Sequence, residues 1–541
     1  MWTLGIHAGK HNSSICLLKD EQIELFIEEE RLSKIKYDNE PIKCLEEVKR
    51  VTTFVDNLII THSNSLDYIK HLLRKNGVTI GNNIEIRNDI HHLCHAASAF
   101  YGSGFTEAVC VVFDGRGSEF ELSNGAYGAE TTSIYKVSYP ANFELVYKKL
   151  VVDPVRGANF EGVTLNTQVN IEISSNIDIG GMYQAVTNLQ GFNNLDCGKT
   201  MGLVAYGKEN LKLPDLCVGN KKESNSNLFT NDNKINTRLY PQLKTSINDQ
   251  IQADLAFALQ KATQEKALNY IRQAIKTTKS KNVVLSGGFA LNIVANKYYK
   301  DKLPNINFYV DPLASDGGLS HGAAKLMYYS LTQSTQINNF KSLYLGPKII
   351  NKKIQENNVE TQQVAELLNQ GKVVALFQGR SEAGARALGN RSILFNPTLP
   401  DGKKIINTIK NREWFRPFAG TILKNCAEQW FDINENSFMT LTANCKQPTK
   451  IPAIIHEDGT CRIQTLTEEQ NLTYYKIIKE FYAITNVPIV GNTSFNIDKQ
   501  PIIETLEDAL KALEKTKIDY LYLADTKDLI SRNPQTNCTN Q

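Results

Sequence analysis

The stretch AVCVVFDGRG, residues 108–117, decides the fold class. Six apolar residues in a row, Ala108 to Phe113, are too few for an interior helix. With three valines among them they read as a strand buried on both faces. Asp114-Gly115-Arg116-Gly117 stops that strand with an acid between apolar and glycine residues. The carboxyl end of a buried strand is where α/β folds place ligand-binding groups. The pattern recurs downstream. Val283–Leu285 runs into Ser286-Gly287-Gly288, and the helical-looking ALNIVANKYY follows at 290–299.

Upstream, Thr3–Ala8 alternates and enters a Gly/His/Asn/Ser turn. Ser14–Leu18 and Ile23–Glu28 follow, separated by the polar turn Lys19-Asp20-Glu21-Gln22, so the chain opens on a β-meander. Ala253–Ala274 carries apolar residues at helical spacing and predicts a long helix. Strands mixed with helices in this way define an α/β domain. Leu331–Phe340 is polar and aperiodic and reads as a linker. Val364–Leu368 (helix) and Val373–Phe377 (strand) then open a second block that ends near Leu529. The expected division is 1–335, 341–530 and a frayed tail, 531–541. Lys221–Lys234, rich in Asn, Ser and Lys, predicts a surface loop.

A chain of 541 residues predicts more than one domain. Hydrophobic residues at 41% and charged residues at 22% fit a globular protein and exclude a disordered one. No apolar run approaches the roughly 18 residues needed to span a bilayer. A net charge of +3 gives no strong sign of a nucleic-acid partner. The ten cysteines form no C-x-x-C pair, which favours reduced thiols over a disulfide framework or a zinc site. With no basic, then apolar, leader at the start, the expectation is a cytoplasmic protein.

Four constellations carry chemistry. In HHLCH, His91 and His95 are four apart and share one helix face, a spacing that can grip one divalent metal. Asp114 at its strand tip and Asp316 in SDGGLSHGAA add two carboxylates. A His₂Asp₂ set with open positions suits iron, manganese or zinc. Second come the glycine turns at Gly115, Gly117, Gly287 and Gly288, with a near-terminal Gly5…His11-Asn12-Ser13-Ser14 turn; such turns cradle phosphate. They suggest an actin-like ATPase architecture, in which two lobes pinch a nucleotide. Third, GRSEAGARALGNRSILFNP (379–397) crowds Arg380, Arg386 and Arg391 into a glycine-rich loop, and KNREWFRPF (410–418) adds Lys410, Arg412 and Arg416. Cations alternating with Gly, Ala, Leu and Phe do not suit a solvated face, and arginine forks suit phosphate. Fourth, GNTSFN (491–496) concentrates donors at Thr493 and Ser494. With Arg462 it can complete a polar nucleotide wall.

Taken in order, IEEERLSKIK (27–36), HHLCHAASAFYGSGF (91–105), VVFDGRG (111–117), GKTMGLVAYGK (198–208), LSGGFALNIVAN (285–296), SDGGLSHGAA (315–324), GRSEAGARALGNRSIL (379–394), NREWFRPFAG (411–420), DGTCRIQ (458–464) and GNTSFN (491–496) resemble the O-carbamoyltransferases of nodulation factor, cephamycin and tobramycin. The resemblance spans almost the whole chain. It implies an actin-like, two-lobed N-terminal domain and a YrdC-like α/β C-terminal domain. It implies carbamoyl-AMP formation from ATP (with Mg2+) and carbamoyl phosphate, then carbamoyl transfer to a hydroxyl of a small-molecule or nucleotide acceptor. Its metal ligands fall on His91, His95, Asp114 and Asp316, with Fe2+ or another divalent transition metal expected. His11 matches its transfer-site histidine. Lys410, Arg416, Arg462 and Ser494 match its phosphate and carbamoyl contacts, and Arg386 and Arg391 its anion loop. Gly115, Gly117, Gly287, Gly288, Asn292 and Thr493 complete the expected nucleotide contacts, and a homodimer stays open. Ala385 stands where the family has proline in G-P-R-A-L-G, and Gly420 where it has proline in FRPFAP. Two rival readings are a threonylcarbamoyl-type tRNA-modifying enzyme and a non-enzymatic nucleotide-binding scaffold. The mild charge argues against the first, and the His₂Asp₂ set against the second.

Overall fold

The computed structural model describes residues 1–541 except 63–64, 153–169, 215, 217–227, 231–233, 350–352, 356, 498–499 and 533–541. Most of the expected loop at 221–234 and most of the expected tail at 531–541 lie outside the described residues. Two compact units emerge. One comprises Met1–Ile23 and Thr52–Phe340, the other Glu24–Val51 and Lys341–Gln541. This differs from a single cut between 335 and 341, because residues 24–51 fold with the second unit. Hydrogen bonds supply the reason. Phe26 N donates to Leu345 O (2.9 Å), and the buried Arg31 guanidinium donates to the carbonyls of Glu382 (3.3 Å) and Gly384 (2.8 Å). No local pattern announces such long-range pairing.

The first sheet contains β1 (Trp2–His7), β2 (Ser14–Lys19), β3 (Gln22–Glu28), β4 (Phe54–Thr61) and β5 (Thr79–Arg87), in the order β3-β2-β1-β4-β5. β1 runs antiparallel to β2 and parallel to β4, which is parallel to β5. The next strands are β6 (Glu107–Phe113), β7 (Glu119–Glu121), β8 (Tyr127–Ser138), β9 (Asn142–Val152) and β10 (Asn170–Ser174). A small hairpin, β11 (Phe229–Thr230) and β12 (Lys234–Ile235), precedes β13 (Asn282–Ser286) and β14 (Asn307–Val310). The second sheet runs β10-β9-β8-β6-β13-β14, with β7 on β8. β6 is antiparallel to β8 and parallel to β13, which is parallel to β14. Each sheet therefore has its first strand in the middle, an antiparallel hairpin on one side and two parallel strands on the other. That repeated lobe is the actin-like α/β architecture. Residues Ala108–Phe113 of β6 are buried throughout, as a strand covered on both faces must be.

Between the lobes run two helices, His91–Ser103 and Leu319–Thr332. Gly322 permits their close approach, since a Cβ there would lie 1.9 Å from the carbonyl oxygen of Cys94. The expected helix at 253–274 spans Gln250–Thr278.

The second unit is built on one eight-stranded mixed sheet. Its strands are β15 (Val374–Phe377), β16 (Arg391–Phe395), β17 (Ala419–Leu423), β18 (Thr442–Asn444), β19 (Thr460–Leu466), β20 (Ile489–Ser494), β21 (Tyr520–Leu523) and β22 (Asp528–Ser531). Their order is β18-β19-β17-β20-β16-β15-β21-β22. Helices Thr361–Asn369 and Leu472–Thr485 place Val364, Leu368, Ile477 and Phe481 in its core. Among the described residues no helix is long and apolar enough to cross a membrane. The described cysteines are all unpaired.

Candidate functional sites

His91 and His95 begin the helix His91–Ser103, one turn apart on one face. The helix has no capping side chain of its own. Its first amides are met from β8 and from the loop before β7. His91 N donates to Ser118 Oγ (3.2 Å), and His92 N donates to Glu130 Oε1 (3.0 Å). Glu130 is buried and accepts from Lys148 through its other oxygen. Asp114 follows the last residue of β6, and Asp316 opens the short turn before the helix Leu319–Thr332.

One ligand atom from each of His91, His95, Asp114 and Asp316 lies within 4.8 Å of the others. His91 Nε2 is 3.1 Å from Asp114 Oδ2 and 3.7 Å from Asp316 Oδ1. Neither ring nitrogen of the buried His95 has a hydrogen-bond partner among the described residues. A buried polar atom without a partner costs stability unless something fills its valence. Two imidazoles and two carboxylates converging on one point fit a divalent transition metal. The fields agree. Burial opposes charge on His91, but Asp316 and Asp114 outweigh it and raise the ring to about 9. Burial would likewise raise Asp114 and Asp316, yet the imidazoles beside them hold both well below the usual carboxylate range. His11 joins the rim. Its Nε2 lies 3.6 Å from Asp316 Oδ2, and its Nδ1 lies 2.8 Å from Asn12 Oδ1.

The second unit gathers cations. Lys410 ends the helix Gly402–Lys410, and Asn411 turns the chain with φ 46°. Lys410 Nζ donates to the carbonyls of Ser494 (2.5 Å) and Asn496 (2.8 Å) and to Asn496 Oδ1. Arg412 Nη2 reaches Ser494 Oγ at 3.5 Å. Arg462 comes from β19, and its Nε is buried without a hydrogen-bond partner among the described residues. Burial and Arg416 push Arg386 down to about 10 and Arg412 to about 9. Burial, then Arg412 and Arg416, push Lys410 well below its usual value. Burial, then Arg386, Arg412 and Arg416, do the same to Arg462. Positive charges gathered this way, with Arg416 beside the other four, suit a multiply charged anion.

The N-terminal half of the sequence, residues 65–325, matches a family profile described as "Carbamoyltransferase N-terminus", and residues 365–528 match "Carbamoyltransferase C-terminus". The chain belongs to the carbamoyltransferase family. Nodulation protein NolNO of Sinorhizobium fredii is 28% identical over 569 residues, covering 94% of this chain and 78% of that one. A Methanocaldococcus jannaschii relative, "Uncharacterized protein MJ1058", is 30% identical over 461 residues, covering 80% of this chain and 72% of its own. Among solved structures, full-length HypF in its phosphate- and nucleotide-bound form has a TM-score of 0.38 at 16% identity, covering 62% of this chain and 56% of that one.

Not every residue expected at a site of this carbamoyltransferase joins one of the clusters. Arg391 is fully buried elsewhere in the second unit. Its guanidinium donates to the carbonyls of Gln378 (2.7 Å), Asn390 (2.9 Å), Gly379 (3.1 Å) and Glu504 (3.3 Å), and it lies over the Phe377 ring. Arg380 is similarly engaged by the carbonyls of Gly346, Leu345 and Glu24. Asn292 caps the helix Ile293–Lys302 and holds Gln260 and Tyr183. The Gly117 amide donates to Glu130 O at 2.8 Å. Gly288 N donates to Asp114 Oδ1 at 3.3 Å, so that turn orients a metal-type ligand. Gly287, at φ 85°, must be glycine, because a Cβ would lie 2.3 Å from Phe113 O. Gly115 adjoins Asp114, and Thr493 is buried in β20, paired with Ile393.

Arg412, four before Arg416 in KNREWFRPF, is legible in the sequence only as one of the loop's cations, and His62 is not legible there as a site residue. His62 follows the end of β4 and reaches His91; its only local signal is a histidine just past a strand tip.

Proposed function

We propose that this carbamoyltransferase is ATP-dependent, activating carbamoyl phosphate as carbamoyl-AMP in its second unit. Its first unit then transfers the carbamoyl group to a hydroxyl of a small-molecule or nucleotide acceptor. The observation that carries the reading is the cluster of the buried Lys410 with the half-buried Arg386, Arg412, Arg416 and Arg462. Carbamoyl phosphate and the ATP triphosphate (with Mg2+) bring the negative charge such a cluster would neutralise. Atom balance requires one water to be consumed and one phosphate released. Water releases phosphate from carbamoyl phosphate, and a carbamate oxygen then displaces pyrophosphate from the α-phosphorus of ATP. The pocket must exclude other water, because a mixed anhydride hydrolyses.

In the first unit, His91, His95, Asp114 and Asp316 would hold the metal, Fe2+ or another divalent transition ion. When bound it supplies a Lewis acid for the carbamoyl oxygen. His11 does the proton work. Its Nδ1–H donates to Asn12 Oδ1, which leaves Nε2 with a lone pair on the pocket side. From there it accepts the proton of the attacking hydroxyl while AMP leaves. The glycine turns at Gly115–Gly117 and Gly287–Gly288 would line the adenylate phosphate.

The test is to incubate the protein with ATP and either carbamoyl phosphate, bicarbonate with threonine, or neither. AMP and pyrophosphate should appear only with carbamoyl phosphate. AMP formed equally in all three mixtures would overturn the reading. Mass spectrometry of an acceptor library for a carbamoyl mass gain then identifies the acceptor.

A further inference from the structure

His62 Nε2 lies 2.9 Å from His91 Nδ1, on the side of the ring opposite Asp114 and Asp316. The two rings meet edge to face, with centroids 4.9 Å apart. We propose that His62 is a positioning residue: its Nε2 accepts the proton on His91 Nδ1 and so keeps the His91 Nε2 lone pair aimed at the metal position. This rests on the reading of His91, His95, Asp114 and Asp316 as the metal site.

Three observations converge on the assignment. First, an imidazole that ligates through Nε2 must carry its proton on Nδ1, and that proton needs an acceptor; histidine ligands regularly find one in an outer shell. Second, His62 adopts φ 60°, the left-handed region that side chains other than glycine rarely occupy. Backbone held there needs a compensating interaction, and the bond to His91 is one. Third, the His62 ring is braced. His7 packs against it edge to face at 5.7 Å, and His7 is itself fixed by Thr61 Oγ1 (3.1 Å) and the His11 carbonyl (3.3 Å). The β1 and β4 strand ends supply this brace, His7 and Thr61 being paired in register. His62 thus links the turn that carries His11 to the first ligand of the metal site. Its role is to fix tautomer and ring angle, with no contact to substrate.

The test uses the full chain stripped with a chelator and titrated with Co2+. Wild type should bind Co2+ with a visible absorption band. His62→Ala and His62→Phe should weaken binding about ten- to a hundredfold and shift the band. His62→Gln, whose Oε1 can accept the same proton, should recover most of the affinity. Thermal unfolding of each metal-free variant separates loss of fold from loss of the acceptor. His62→Ala with wild-type affinity and spectrum overturns the proposal, and so does His62→Gln binding as weakly as His62→Ala. A wild-type chain that binds no Co2+ instead overturns the metal reading itself, so the two failures are distinguishable.

Discussion

His95 Nε2 stands 3.6 Å from Asp316 Oδ1, too far for a hydrogen bond, while neither nitrogen of its buried ring has a hydrogen-bond partner among the described residues. A hydrogen bond would draw the pair nearer to 3 Å. A cation between them would satisfy imidazole and carboxylate at once. Replacing His95 with alanine should therefore strip the bound metal and abolish carbamoyl transfer. AMP formation dependent on carbamoyl phosphate should persist, because its proposed site lies in the other unit. Elemental analysis of anaerobically purified protein, beside the AMP assay, checks both halves.

Arg416 is the cation that most depresses Arg386 and Arg412 after burial itself. A charge-assisted hydrogen bond to phosphate contributes roughly 1.5–3 kcal/mol. Arg416→Ala and Arg412→Ala should thus slow AMP formation about ten- to a hundredfold, since each 1.4 kcal/mol is tenfold. Carbamoyl-AMP supplied from outside should restore product in these variants and leave His95→Ala inactive. Steady-state AMP release with and without added adenylate is the measurement.

Arg391 gives the opposite expectation for a residue that looks equally cationic in the sequence. It satisfies four carbonyls and lies 3.8 Å from Glu504, whose carboxylate oxygens have no hydrogen-bond partner among the described residues. Removing one partner of a buried pair costs about 3–5 kcal/mol. Arg391→Met should destabilise the second unit by that order in urea unfolding. ATP affinity, normalised to folded protein, should be unchanged.

Lys325 sets a pH dependence away from both sites. Burial lowers it to about 8, with Cys16 and Glu21 pulling the other way. Its Nζ donates to the Glu21 carbonyl at 2.5 Å. Between about pH 8 and its ordinary value near 10.5, the unfolded chain holds the proton that the folded chain releases. The contribution of Lys325 therefore makes stability rise with pH across that window, and its full penalty is present below pH 8. Lys325→Met should remove this slope, read as unfolding free energy against pH between 7 and 10.5 for both proteins.

Much of the fold was legible because strand and helix periodicity are local. AVCVVF, the opening meander and the Ala253–Ala274 helix all lie where their patterns put them. The metal-type cluster was legible for a different reason. Helical spacing joins His91 to His95, and strand-tip and helix-start positions mark Asp114 and Asp316. The basic loop was legible only as a class. Arg386, Arg391, Arg412 and Arg416 share a composition of neighbours, yet Arg391 turns inward to backbone carbonyls while Arg386 and Arg412 feel the charge of Arg416.

Residue identity and spacing in the sequence determined the α/β class, the family and the ligand chemistry available to it. Only the tertiary structure decided that residues 24–51 fold with the second unit, that Arg391 is spent on carbonyls, and that His62 meets His91. These pairings join residues separated by tens to hundreds of positions. Each is fixed by which buried polar group must find a partner after the strands and helices have packed. Periodicity reports which face of an element is buried, but the atom waiting on the other side comes from elsewhere in the chain.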